Sequence, residues 1–199
     1  MGTTAPLLLL LSLLPSSSSA APAAPTNRPW ALADTGSPPD AFGTDGFDVS
    51  IDQSVAQRFV ASTSGPLSGV SVYLMSNGDG QPPLPLVSVS LVAGGMDSPA
   101  PGSPLESWWV PVTANGFNPT RVDLNSSSAP SVSVGDVLWV VLSSNSSSGE
   151  NGVWCMSNAV AFGTTTSKGA WQPGAAGNAA AFAVWAASAP MGPKGRHSR

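Results

Sequence analysis

Charge is the scarcest property of this sequence. Only 9% of its 199 residues are Asp, Glu, Lys or Arg, against about a quarter in ordinary globular domains. Cysteine, histidine and tyrosine occur once each, and each shortage excludes something. A lone Cys155 rules out an internal disulfide, so the chain is not a small stapled scaffold and must be held together by a core. One Cys and one His cannot build a Cys/His zinc site. His197 stands alone in a basic tail with Lys194, Arg196 and Arg199, and Cys155 has no partner elsewhere, so histidine-dependent nucleophilic catalysis has no support. No glycine-rich phosphate loop precedes a helical pattern. Beyond the amino-terminal region, no apolar run approaches the roughly 20 residues of a membrane-spanning helix.

The few charges are unevenly placed. Outside a basic tail at 189–199, only Arg28, Arg58, Arg121 and Lys168 face eleven acids. An anionic body repels phosphate backbones, which argues against nucleic acid as a partner. The tail reads as a solvated terminus.

Apolar residues, by contrast, make up 42% of the chain, punctuated by 21 Gly and 20 Pro. Residues 1–20 read as a signal peptide, with the apolar stretch 7–14 followed by small residues, Ser18 and Ala20 among them, at the cleavage site. Residues 21–46, rich in Ala, Pro and Asp, read as a linker, and 47–188 as one domain. From Phe47 onward the apolar period is two. "FDVSI" places Val49 and Ile51 inward, and "LVSVSLV" does the same with Val87, Val89 and Leu91. Further β-rich runs are bounded by Gly, Pro, Asn or Ser. About nine strands and no helical stripe predict an all-β fold, an antiparallel β-sandwich.

One run differs. "DVLWVVL" is apolar on both faces, with Val137, Trp139 and Val141 on one and Leu138, Val140 and Leu142 on the other. It is expected mid-sheet, one face in the core and the other covered by a loop or partner. The Ser/Asn/Gly stretch that follows reads as a hairpin loop. Cys155, in "GVWCM", reads as a small buried hydrophobe rather than a reactive thiol.

Several of these runs together resemble the choice-of-anchor R domain, an exported surface module. The correspondence lies in Gln57 and Phe59, in "LSGVSVYL" with Leu67, Val70, Val72, Tyr73 and Leu74, in Val89 and Leu91 before a Gly/Pro loop, in Val134 to Leu142, in Trp171, and in Phe182 with Val184. It extends over about residues 51–187; Leu138 stands where that family usually has Tyr. The resemblance implies a jelly-roll-like sandwich, secreted or at a cell surface, and brings no catalytic residues with it.

Seven tryptophans are the main hint of binding, because an exposed indole can stack on the flat C–H face of a sugar while Asp, Asn or Gln bond its hydroxyls. Trp108, Trp109, Trp154 and Trp171 are the candidate ligand-binding residues. Trp108 and Trp109 are adjacent on a strand and must face opposite sides. The competing reading is that most tryptophans fill the core. The sequons Asn125-Ser126-Ser127 and Asn145-Ser146-Ser147 are candidate glycosylation sites. Asp40, Asp45 and Asp48 near "GTDGFD" could ligate calcium; an acidic linker is the plainer account, and no cofactor is required. A catalytic carboxylate pair would have to come from Glu106, Asp123 and Glu150.

The expectation is therefore a non-catalytic, secreted or cell-surface β-sandwich whose partner is an extracellular glycan or surface protein, with no membrane span. The alternatives are a purely structural matrix or wall component and a small carbohydrate-active enzyme. Exposed tryptophans would favour binding, a flat Ser-rich face a structural role, and two facing carboxylates an enzyme.

Overall fold

The computed structural model describes residues 30–39, 45–76, 86–100, 103–112, 118–145, 152–161, 163–167, 170–173 and 177–187. The expected signal segment, most of the linker and the basic tail lie outside these. Among the described residues there are fourteen strands rather than nine: β1 Trp30–Asp34, β2 Gly46–Val49, β3 Gln53–Val60, β4 Gly65–Ser76, β5 Leu86–Ala93, β6 Glu106–Pro111, β7 Thr120–Asn125, β8 Ser131–Val132, β9 Val137–Ser144, β10 Gly152–Ala161, β11 Gly163–Ser167, β12 Ala170–Pro173, β13 Gly177–Ala180 and β14 Phe182–Ala186. None of these residues is helical, and no helix is long and apolar enough to cross a membrane.

The strands form two antiparallel sheets, a β-sandwich. One has eight strands, running β1-β14-β4-β10-β13 with β2 on β10 and β7 and β8 on β4; the other has six, in the order β12-β11-β3-β9-β5-β6. The alternating pattern sets the inner faces. Val87, Val89 and Leu91 of β5 and Leu142 and Val140 of β9 are fully buried, and they meet Val70, Val72 and Val184 from the eight-stranded sheet. At the centre the Phe182 ring lies 5.8 Å from Phe59 and 6.2 Å from Trp154, centroid to centroid, an edge-tilted arrangement favoured by aromatic quadrupoles.

Strand β9 takes the mid-sheet place its two apolar faces require, between β3 and β5. Its outward Trp139 is fully buried because the loop after β5 folds over it. The indole Nε1–H donates to the Gly95 carbonyl at 3.0 Å, and Arg58, opposite Trp139 on β3, donates to the Met96 carbonyl. Gly94 lies flat on the ring: a Cβ there would come within 2.6 Å of Trp139 Cδ1.

Three sequence expectations are corrected. The linker reading of 21–46 gives way at β1, which pairs with β14 and buries Leu32 completely; a single inward residue in "WALAD" is too weak a signal to stand out from Ala/Pro-rich surroundings. Ile51 is 61% exposed, not inward, because β2 ends at Val49 and a tight turn with reciprocal Ser50–Gln53 backbone bonds follows. The stretch after β9 is not a hairpin loop. With β3 and β5 on both its edges, β9 has none to offer β10, which lies in the other sheet, so the chain crosses between sheets there.

Candidate functional site

The candidate tryptophans do not assemble into one site. Trp154 is corrected outright: it has no exposed surface, and its Nε1–H is spent on the Ala181 carbonyl at 3.1 Å. It is a core residue. Trp108 and Trp109 face opposite sides of β6 as expected. Trp108 is half-buried, packs on the core and donates to the Asn125 carbonyl at 2.9 Å; Trp109 is 63% exposed.

The outward Trp109 pairs with Ser88, and Ser88 with Ser143. One step beyond the Val55–Leu142 pair, Ser54 continues the row. From Ser54 the register runs through Thr166 to the half-buried Trp171. Trp109 and Trp171 therefore stand at the two ends of one row across six strands, about 24 Å apart at the usual strand spacing. Ser90 and Ser107, hydrogen-bonded at 2.7 Å, lie alongside. The outer face of this sheet is thus Ser-rich, with an indole at each edge.

A concave site lies on the other sheet. Its outer face carries an open depression of about 600 Å³, lined by Gly69 and Ser71 of β4, Arg121, Asp123 and Asn125 of β7, and Trp185 of β14. A β-bulge shapes it. The register of β14 on β4 slips between Trp185 and Ala186, so that Leu67 as well as Val70 points inward. At the slip, Gly69 pairs with Trp185 on one side and Asn125 on the other. No side chain other than glycine fits, since a Cβ would sit 2.4 Å from the Leu124 carbonyl oxygen. A bare strip therefore separates the indole from Asn125, roughly 10 Å apart across two strand spacings.

Ser71 ties the walls together. Its hydroxyl donates to Asp123 Oδ1 at 2.6 Å and accepts from Trp185 Nε1 at 3.0 Å and Arg121 Nη2 at 3.2 Å. Arg121 Nε also donates to Asp123 Oδ1, at 2.8 Å. The Ser71 hydrogen bond, against the opposing effect of burial, and then Arg121 hold the Asp123 carboxyl below its ordinary range. The Arg121 guanidinium is raised, chiefly by its hydrogen bond to Asp123. The two charges cancel, leaving a neutral polar cleft with a fixed indole wall. Asp123 Oδ2 makes no hydrogen bond to a described residue, and the Asp123 side chain is 62% exposed. Trp185 escaped the sequence reading because "AAFAVWA" looks like a core strand; strict alternation, with Phe182, Val184 and Ala186 inward, would have turned it out.

The carboxylates considered for catalysis are not brought together. Glu106 is buried on the inner face of β6, opposite Leu91. Its Oε2 accepts from the Ser126 hydroxyl; Oε1 accepts from the Ser127 amide, the Ser127 hydroxyl at 2.9 Å and the Ser128 amide at 3.2 Å. Burial pushes the Glu106 carboxyl up, but these bonds outweigh it and bring its pKa down to about 2. With the Trp108–Asn125 bond, Glu106 clamps the β6 edge of one sheet to the end of β7 in the other. Asp123 points out of the opposite sheet, and Glu150 lies outside the described residues.

Asn125 and Asn145 are both exposed. Asp45 and Asp48 are exposed beside and within β2, while Asp40 lies outside the described residues. Among the described residues no three acidic, His or Cys side chains gather as a metal site. Cys155 is buried, and burial pushes its thiol up to about 12, which keeps it protonated and unreactive. No protein-family model and no curated protein matches this chain.

Proposed function

We propose that the protein is a non-catalytic β-sandwich module, exported to the cell surface or beyond, that binds a glycan in the cleft of the eight-stranded sheet. The observation that carries this reading is the composition of the cleft: one indole wall beside a charge-compensated Arg121–Asp123–Ser71 network. An uncharged, hydroxylated ring can stack its C–H face on Trp185 while Asp123 Oδ2 and the Asn125 amide take its hydroxyls. A phosphate or carboxylate ligand gains little here, because Arg121 is already neutralised. The signal-like residues 1–20 and the resemblance to the choice-of-anchor R domain support a surface location.

The test is tryptophan fluorescence of unglycosylated protein, titrated with a panel of soluble polysaccharides. A saturable shift that disappears in Trp185→Ala and persists in Trp109→Ala is expected. Loss in Trp109→Ala or Trp171→Ala instead would move the site to the six-stranded sheet. A folded protein silent across the panel would refute glycan binding. That silence would favour the second reading, a structural wall or matrix component, which the Ser-rich outer face around Ser88, Ser90, Ser107 and Ser143 supports.

A further inference from the structure

The glycosylation sequon and the cleft coincide. Asn125 of Asn125-Ser126-Ser127 is exposed at the end of β7, and no described residue hydrogen-bonds its side-chain amide. It lies directly opposite Gly69, which lies directly opposite Trp185. A sugar attached at Asn125 leaves the sheet at the rim of the cleft, facing the bare strip and the indole beyond. We propose that the cleft is filled by the protein's own carbohydrate: an N-linked glycan on Asn125, whose first N-acetylglucosamine lies across Gly69 against Trp185. This inference rests on the saccharide-binding reading of the cleft and adds its regulation, because a chain modified at Asn125 has the cleft closed to other glycans and an unmodified one has it open.

The chemistry is that of oligosaccharide transfer from a lipid diphosphate-linked donor in an export compartment. The bond from sugar C1 to the phosphate oxygen breaks, a bond from C1 to Asn125 Nδ2 forms, the amide nitrogen gives up one proton, and the lipid diphosphate leaves. Transfer precedes folding. In the folded protein the Ser127 hydroxyl and amide are both held by Glu106, and the Asn125 carbonyl by Trp108, so the sequon is not free to enter a transferase. Folding then brings Trp185 to the attached sugar, from 60 residues further along the chain.

The experiment expresses the full chain in a glycosylating secretory host. Glycopeptide mass spectrometry reads occupancy at Asn125, and nuclear Overhauser contacts are sought between the first sugar ring and the Trp185 indole in the parent glycoprotein. Melting temperatures are compared for the glycoprotein and Asn125→Gln, each with Trp185 and with Trp185→Phe or Trp185→Ala. The expected result is an occupied Asn125, sugar–indole contacts, and a glycan-dependent rise of roughly 2–4 °C that is lost in Trp185→Ala. A secreted chain unmodified at Asn125 overturns the proposal, as does a glycan without indole contacts. Titrating the bacterially made, unglycosylated parent protein with chito-oligosaccharides separates the two readings. Binding there but not to the glycoprotein supports the closed cleft. Equal binding to both refutes it while leaving glycan binding intact, and no binding to either, with sugar–indole contacts present, refutes only the capture of external glycans.

Discussion

Replacing Glu106 by Gln removes one negative charge from the inner edge of the sandwich and keeps the side chain's size. In the native protein the carboxylate is held at a pKa of about 2, against an ordinary 4.5, by hydroxyl and amide donors from Ser126, Ser127 and Ser128. A group whose folded pKa is depressed contributes stability that is fully present above the unfolded pKa and is lost as pH falls through the folded one. At about 1.4 kcal/mol for each tenfold change in proton affinity, the difference is on the order of 3 kcal/mol. Ser127 and Ser128 are themselves exposed, so screening by water reduces this to about 2 kcal/mol. Glu106→Gln should therefore unfold about 2 kcal/mol more easily than the parent at pH 6 to 7. The gap should close between about pH 4.5 and pH 2, where the parent loses the same contribution by protonation. Urea unfolding of both proteins across this range, read by tryptophan fluorescence, tests the reasoning. Parallel pH profiles for the two proteins would refute it, since the acid sensitivity would then come from other groups.

Two further expectations concern packing. Trp154→Ala should cost about 3–5 kcal/mol, because the indole is fully buried against Phe182, whereas Trp109→Ala on the exposed face should stay within about 0.5 kcal/mol; comparable urea midpoints for the two would mean that the assignment of inner and outer faces is wrong. Gly94→Ala places a methyl 2.6 Å from the Trp139 ring and 2.7 Å from the Ser98 carbonyl oxygen, so it should cost about 1–3 kcal/mol and raise acrylamide quenching as the loop lifts off Trp139. A midpoint and quenching constant equal to the parent's would show that the loop is not seated on the ring.

Alternation along single strands was written in the sequence. Val87, Val89 and Leu91 are buried where their period of two places them, and the doubly apolar β9 lies mid-sheet beneath a loop. The opposed faces of Trp108 and Trp109 follow from the same local rule, because side-chain direction in a strand depends only on its neighbours in the chain; Cys155, next to the core-facing Trp154, is buried on the other face of its sheet by a separate cluster with Met75 and Val153. Pairing is different, since register is settled between segments far apart. Nothing near Gly69 says that Trp185 and Asn125 will flank it, or that the slip at Trp185–Ala186 will leave a glycine strip as the floor of a cleft. Nothing near Glu106 says that three serines from another strand end will saturate it and turn a catalytic candidate into a clamp. Sequence alone determined an all-β chain with strands of known inward face. Only the tertiary structure decided which tryptophans are core, which face water, and which stand beside a sugar-sized gap, because those outcomes depend on contacts between residues that are distant along the chain.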